Sequence, residues 1–532
     1  MENLTEKSSR GSLLQINLSD NRILFVFSII TTFFWGLIAH SYGFLHSSFS
    51  HDSLNAFYAD SVEISAKIGV GRFMVPVYEY LTRGFTTLPW VIGLLGLFYI
   101  SVCVFFIVKM LDIKKPFALF LVAGIMTANI TIIAQTATYI HELDCNMFAS
   151  MLSVIAAYLW HKDCTFKNLA IGCILLFIAV SIYQSYLSVT LTLIMISVLL
   201  SLLNNEDIKP TIIKALKGIA MIAVSSVAYY IISIILCSIS NIPLENRTNI
   251  LSFEGITGFS KFIIWLVLKT YYSFVTTVAD IFVYDLKTII ILAALILAIT
   301  LLIILYTFKH DKELRLSNKW FIIALCGIFP LGINSTCIIA RGFVHDVMCY
   351  SFWLIYVLFL VLVYRFDGEE NNTFKYKKYI KPISCILIII FLWQNVLVAN
   401  TAYMKKDLEA SATLSLMTRV VYQMEEHEEY IAGETPVAFI GVSDMYTSVE
   451  GFDNVKNIIG LLGKDAVFLD HSTSTYNAYR AYFKYILKYP IKMCEDSVHD
   501  ILAKAVEVES LPAFPDKNCM KMIDGVFVVK MQ

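Results

Sequence analysis

Three short stretches of this sequence combine acids with histidine, two of them with an arginine as well, in a way that suits proton transfer and anion binding. The first reads His51-Asp52-Ser53-Leu54-Asn55-Ala56-Phe57-Tyr58-Ala59-Asp60, followed by Glu63 and then Gly71-Arg72-Phe73. A carboxylate at a membrane surface is partly desolvated, which raises its basicity and suits it to taking a proton from a hydroxyl. Asp52 and Asp60 are the candidates for that role. Arg72 and His51 are candidates for holding an anionic group. A guanidinium grips phosphate with two parallel N–H donors, and the glycine before Arg72 lets the backbone come close to a ligand. A solvated loop with one capping Asp would use the same residues.

The second stretch, Thr136 to Asp144, holds His141, Glu142 and Asp144 and has no Lys or Arg. Helical spacing puts His141 and Asp144 on one face, with Glu142 pointing elsewhere. These groups suit sugar hydroxyls, although acids capping a helix end are the plainer reading. The third set is Arg341, His345 and Asp346, where Arg341 is a further candidate for a phosphate. Tyr183 and Gln184, in Tyr183-Gln184-Ser185-Tyr186, suit a sugar or acceptor, or an aromatic anchor at the membrane interface. His51, Asp52, His141, Glu142 and Asp144 are also ligand types that Mg or Mn accepts, but their spacing fixes no metal. No Walker loop, GxGxxG, GxSxG or HExxH stands in a supporting context, so ATP-driven pumping and zinc proteolysis find no foothold.

The elements that must position these residues are apolar. Of 532 residues, 58% are hydrophobic and 16% charged, and mean hydropathy is +0.69. Soluble proteins carry about 25% charged residues. Lipid is the natural solvent for such a chain, and a net charge of −1 argues against nucleic acid as a partner. Eleven segments read as spans: Ile23–Ala39, Leu88–Val108, Pro116–Ala134, Cys145–Trp160, Leu169–Ile182, Leu187–Leu203, Ile212–Ile235, Thr288–Phe308, Trp320–Ile333, Val347–Tyr364 and Ile380–Asn400.

Alternate loops are basic: Lys109, Lys114 and Lys115; Lys162 and Lys167; Lys209, Lys214 and Lys217; Lys309, Lys312, Arg315 and Lys319; and Arg365 through Lys381. Lys and Arg collect on the cytoplasmic side, which puts the N-terminus in the cytoplasm and the tail outside. The polar N-terminus lacks the pattern of a cleaved signal peptide, so the first hydrophobic segment is expected to stay as a span. The expected layout is a membrane domain over 1–400, with external loops 41–86 and 241–287, and a soluble extracytoplasmic domain over 401–532. In the second external loop, Phe262–Thr270 and Tyr271–Tyr284 read as two amphipathic or re-entrant helices.

The tail reads as a small α/β domain. It has helices at Leu408–Tyr430, Asp453–Leu462, Thr473–Leu487 and Asp496–Val506, a strand at Pro436–Gly441, and a hairpin at Met520–Met531 around Asp524-Gly525. Cys494 and Cys519 could pair in an exported tail, whereas most of the other cysteines read as apolar filler in helices.

His51-Asp52-Ser53-Leu54, Gly71-Arg72-Phe73 and Leu88-Pro89-Trp90, in that order, resemble the N-terminal part of the bacterial Gtr-type (type II-like) serotype-converting glucosyltransferases. Tyr183-Gln184-Ser185-Tyr186 and the strand Pro436–Gly441 are similar as well. The resemblance implies a mainly α, GT-C-like bundle of about 11 transmembrane helices in the bacterial inner membrane, with a small extracytoplasmic α/β domain. It implies transfer of a sugar, glucose in the family, from undecaprenyl phosphate to a surface glycan such as O-antigen. A carboxylate of the first external loop is the base, which falls on Asp52 and then Asp60. A separate carrier-loading transferase and a flippase are the implied partners. A transporter or flippase of lipid-linked glycans is the non-enzyme alternative, and a polymerase or ligase would share the substrate. Transporters favour internal repeats and ionisable groups at the membrane midplane, whereas here the acids gather in external loops.

Overall fold

The computed structural model describes residues 18–46, 48–57, 61–244, 259–281, 287–310, 314–340, 342, 344–368, 374, 376–441, 452, 455 and 479–531. Asp60, Arg341 and the expected helix at Asp453–Leu462, apart from Val455, lie outside the described residues.

The chain is a helical bundle with a small sheet at its C-terminal end. Its helices are α1 (Asn21–Leu45), α2 (His51–Asn55), α3 (Ser61–Gly69), α4 (Met74–Arg83), α5 (Pro89–Met110), α6 (Pro116–Thr127), α7 (Ile130–Thr138), α8 (Leu143–Asp163) and α9 (Phe166–Ile182). They continue as α10 (Leu187–Leu203), α11 (Ile208–Ile239), α12 (Phe259–Ile281), α13 (Lys287–His310), α14 (Leu316–Ile333), α15 (Ser335–Ile339), α16 (Leu354–Gly368) and α17 (Lys377–Glu425). Among the described residues, nine helical stretches are long and apolar enough to cross a membrane, and Phe166–Ile182 and Ala294–Lys309 are shorter apolar helices.

Burial sorts the helices into an interior and a rim. The α6–α7 stretch is 89% buried inside the protein, whereas α11 is only 17% buried and presents Ile219, Val224, Val227 and Ile231 outward. An apolar face left open on that scale belongs against lipid. The break between α6 and α7 has a local cause. Asn129 caps α7 by accepting from Ile132 N at 3.1 Å, and its amide donates back to Ile125 O at 3.0 Å.

The basic loops share one end of the bundle. Arg315 pairs with Asp207, Arg365 donates to Leu203 O at 2.6 Å, and Lys214 donates to His161 O at 2.7 Å. The turns between α7 and α8 and between α9 and α10, together with α2 and α3, gather at the other end.

Two stretches differ from the sequence expectation. Phe259–Ile281 is one continuous helix, α12, where two pieces were expected. The expected soluble helix Leu408–Tyr430 is the continuation of the last span, because α17 runs unbroken for 49 residues. At 1.5 Å per residue, α17 is roughly 70 Å long, well beyond a hydrocarbon core of about 30 Å. The apolar run supplies the first part of α17, and good helix formers such as Leu408, Glu409 and Ala410 carry it on.

The sheet is ordered β2-β1-β4-β3, with β1 (Pro436–Ile440), β2 (Lys492–Met493), β3 (Met520–Ile523) and β4 (Val526–Lys530). β1 pairs in parallel with β2 and β4, and β3 and β4 form the expected hairpin. Its turn residues Asp524 and Gly525 have φ of 48° and 78°, the two left-handed conformations that a two-residue hairpin loop requires. Alternation along β1 sends Val437 and Phe439 to the main core, and Ala438 and Ile440 to a second core with Leu502 of the helix Asp496–Leu502. Cys494 and Cys519, which could pair in an exported tail, are not joined in a disulfide. The two residues belong to these two different cores.

Candidate functional site

Asp52 is half-buried on the short helix α2, and local hydrogen bonds fix that helix in place. Ser50 caps it, the Ser53 hydroxyl donates to Thr138 O at 2.8 Å, and Thr87 closes its far end by donating to Ala56 O at 2.8 Å. Burial raises the pKa of Tyr139, and the Asp52 carboxylate raises it further, so Asp52 lies within electrostatic reach of the α7–α8 turn. His51 opens α2, and its side chain lies outside the described set.

After α3 the chain ends its helix in a six-to-one turn. Arg72 N donates to Lys67 O at 2.7 Å and Gly71 N to Ile68 O at 2.9 Å, with Gly71 at φ 74°. This is the Schellman pattern, in which a left-handed residue, usually glycine, closes the helix. The glycine also permits a close approach, because a Cβ at Gly71 would collide with the Tyr229 hydroxyl. The group that Gly71 admits is therefore a side chain of α11. Gln184 completes the joint by donating to Val70 O at 3.2 Å and to the Tyr229 hydroxyl at 2.6 Å.

This turn sets Arg72 beside Lys67. Both cations bind the two oxygens of Glu142: Lys67 Nζ donates to Oε1, and Arg72 Nη1 donates to Oε2 at 3.2 Å. Lys67 also pairs with Glu63 at 3.0 Å, and the Arg72 guanidinium lies 4.5 Å from the centre of the Tyr183 ring. Burial alone would pull the Lys67 ammonium down. Glu142 and Glu63 outweigh it and hold the pKa above the ordinary lysine value. His141 Nε2 is 3.9 Å from Glu142 Oε1, and the buried His141 Nδ1 has no hydrogen-bond partner among the described residues.

Expected and observed faces of the second stretch differ. Ile140–Glu142 is a 3-10 turn and α8 begins only at Leu143. The tighter turn, with about three residues per revolution, rotates Glu142 toward Lys67 and Arg72. Asp144 faces away from that pair and toward Arg83, which donates to it from Nε at 3.3 Å, to Glu79 at 2.8 Å, to Thr86 O at 2.8 Å and to His141 O. Burial lifts the Glu79 carboxyl to about 7, against the pull of Arg83 and Lys67.

Of the residues singled out from sequence, Asp52, Arg72, His141, Glu142, Tyr183 and Gln184 gather at one end of the bundle, and Asp144 belongs to the neighbouring Arg83 knot. His345 and Asp346 lie at the turn Asp346–Met348, beside α7. Among the described residues, no three His, Cys, Asp or Glu side chains are placed to hold a metal ion. Sequence reading missed Lys67, Glu79 and Arg83. Their spacing was a usable signal, since Glu63–Lys67 and Glu79–Arg83 are acid-to-base pairs four residues apart on short helices.

No curated protein and no solved structure matches the chain. The family model for Glucosyl transferase GtrII matches residues 41–366, which is more than half of the chain and takes in α2 through the turn after Arg72, the α7–α8 turn and most of α16. This protein belongs to the GtrII glucosyl transferase family.

Proposed function

We propose that this glucosyltransferase moves glucose from a polyprenyl phosphate carrier to a hydroxyl of a surface polysaccharide, such as O-antigen. The reaction runs at the extracytoplasmic end of the bundle, in the bacterial inner membrane. The family membership carries this reading and favours it over a transporter, a flippase, a polymerase or a ligase. The basic loops at one end support a cytoplasmic N-terminus, with the site and the C-terminal domain on the far side.

In this scheme Asp52 takes the proton of the acceptor hydroxyl. The hydroxyl oxygen bonds to glucose C1 while the bond from C1 to the phosphate oxygen breaks, in one inverting step through an oxocarbenium-like state. Arg72 meets the growing charge on the phosphate, with Arg341 and His51 as further donors. Asp60 is the second candidate for the base. His141, Tyr183 and Gln184 line the approach of sugar or acceptor. Asp144 acts through the fold, given its place against Arg83. A separate enzyme loads the carrier, and a flippase delivers it.

The test is transfer of labelled glucose from polyprenyl phosphate-glucose to host glycan in membranes. Asp52→Asn should reduce transfer by about 10²–10⁴-fold, the usual range for a lost general base, with normal insertion and yield. Near-normal transfer by that variant sinks the base assignment. A well-folded wild type that uses no polyprenyl phosphate donor sinks the donor class.

A further inference from the structure

Lys67 has no part in the scheme above, yet it is the less exposed of the two cations on Glu142. Its side chain is 12% exposed and lies between Glu63 and Glu142, and the other oxygen of Glu142 is taken by Arg72. One buried carboxylate thus draws two like charges together. Such a cluster gains little stability over an apolar packing of similar volume, because three charged groups must leave water to form it.

Two features set it apart from a closed ion pair. Arg72 keeps 23% of its side chain exposed, and among the described residues its guanidinium hydrogen bonds run from Nη1 to Glu142, which leaves Nε and Nη2 as donors. The buried His141 beside Glu142 leaves Nδ1 without a partner among the described residues.

We infer that Lys67 and Arg72 together form a two-cation seat for the phosphate of the lipid-linked donor, and that Glu142 is the positioning residue that holds both cations there. The inference rests on the donor class proposed above. Bond order gives it a direction. In the donor the phosphate is a diester with one negative charge. When the C1–O bond breaks, the electron pair stays on the phosphate oxygen, and the departing prenyl phosphate is a monoester that takes a second negative charge. A seat with two cations is therefore more complementary to the transition state and the product than to the bound donor.

The experiment uses the full chain in detergent or nanodiscs. It measures binding of a short-chain prenyl phosphate directly, and its inhibition of glucosyl transfer. Lys67→Met should weaken prenyl phosphate binding by about 10–100-fold, as expected for a lost hydrogen bond to a charged group. It should lower kcat more than it raises KM for the donor, and Lys67→Arg should restore most of both. Glu142→Gln should weaken prenyl phosphate binding through the cations, in the same direction. A folded Lys67→Met enzyme with wild-type prenyl phosphate affinity overturns the seat, even where wild type transfers glucose and the donor class stands. Wild type that binds prenyl phosphate in a Lys67-dependent way but transfers no glucose from prenyl phosphate-glucose supports the seat and overturns the proposed reaction. If Lys67→Met does not fold, Arg72→Gln, at the more exposed cation, carries the same test, and unchanged affinity there is equally fatal.

Discussion

Two ionic clusters lie side by side at one end of this bundle, and they are built to opposite ends. In the first, Arg83 is 1% exposed, Asp144 is 0% and Glu79 is 6%, and the guanidinium spends its donors on two carboxylates and two backbone carbonyls. In the second, Lys67 and Arg72 share Glu142, but exposure rises to 12% and 23%, donors on Arg72 stay uncommitted among the described residues, and Asp52 lies within reach. Both clusters hang from the same segment: Glu142 and Asp144 are two residues apart, and His141 O accepts from Arg83. The closed knot fixes the backbone from which the open cluster projects. Buried charge alone therefore does not mark a reactive group. What separates the two is whether the hydrogen-bonding capacity is used up inside the protein.

The strongest way to break this comparison is Arg83→Met. It strands two buried carboxylates, and breaking a buried pair costs about 3–5 kcal/mol. We expect the folded fraction to collapse, read as a large fall in detergent-resistant thermal unfolding, whereas Lys67→Met should unfold near the wild-type temperature. Equal losses of stability in both variants would erase the distinction.

A smaller loss is expected from Gly71→Ala. The left-handed conformation costs an alanine about 1–2 kcal/mol, and the new Cβ meets the Tyr229 hydroxyl. Transfer should fall because Arg72 moves with the turn. Combining the change with Tyr229→Phe should recover part of it, through relief of the contact, and transfer rates for the single and double variants will show whether it does.

Tyr183→Leu removes the ring under Arg72 and should weaken prenyl phosphate binding by about 1 kcal/mol, within the range for a partly desolvated cation–π contact. Tyr183→Phe keeps the ring face and should behave as wild type. If the phenylalanine variant is as weak as the leucine one, the hydroxyl rather than the ring is at work.

The mildest effect concerns pH. Glu79 titrates near 7 in the folded protein against an ordinary 4.5, so between these values the folded state binds a proton that the unfolded state has lost. The stability this contributes is full below about 4.5 and is lost as pH rises through 7. Glu79→Gln should flatten that slope in thermal unfolding while leaving transfer close to normal. An unchanged slope would show that Glu79 is not the group responsible.

Much of this protein is legible in its sequence. Nine of the eleven apolar segments fall within a helix or helical stretch, and Leu88–Val108 and Val347–Tyr364 overrun theirs only at the start, because a run of that length has to satisfy its backbone internally wherever lipid surrounds it. The tail hairpin is legible too, since Asp-Gly demands the left-handed pair of conformations found at Asp524 and Gly525. Where α17 ends was not legible. Leaving the bilayer does not end a helix that still has good helix formers ahead of it, and the residues past Asn400 bury one face, including Met417, Val420 and Met424.

The candidate site was half legible. Asp52, Arg72, His141 and Glu142 stood out by type, but Lys67 and Arg83 did not, because a lysine or arginine in a loop segment usually reads as a solvated charge. The partnership of Lys67 with Glu142 spans 75 positions, and that of Arg83 with Asp144 spans 61. No local pattern encodes a separation of that kind.

By itself, then, the sequence determined the apolar spans, the basic loops on alternate connections, the hairpin in the tail and the residue types available for chemistry. These follow from hydropathy, charge and turn geometry, which act over a few residues. Only the tertiary structure decided which charge meets which. A single 3-10 turn sent Glu142 to two cations and Asp144 to a third, and a glycine-closed helix end placed Arg72 beside Lys67. The reason is physical: a buried charge has to find a partner in three dimensions, and the packing of α3, α4, α7 and α8 sets which partners are within reach.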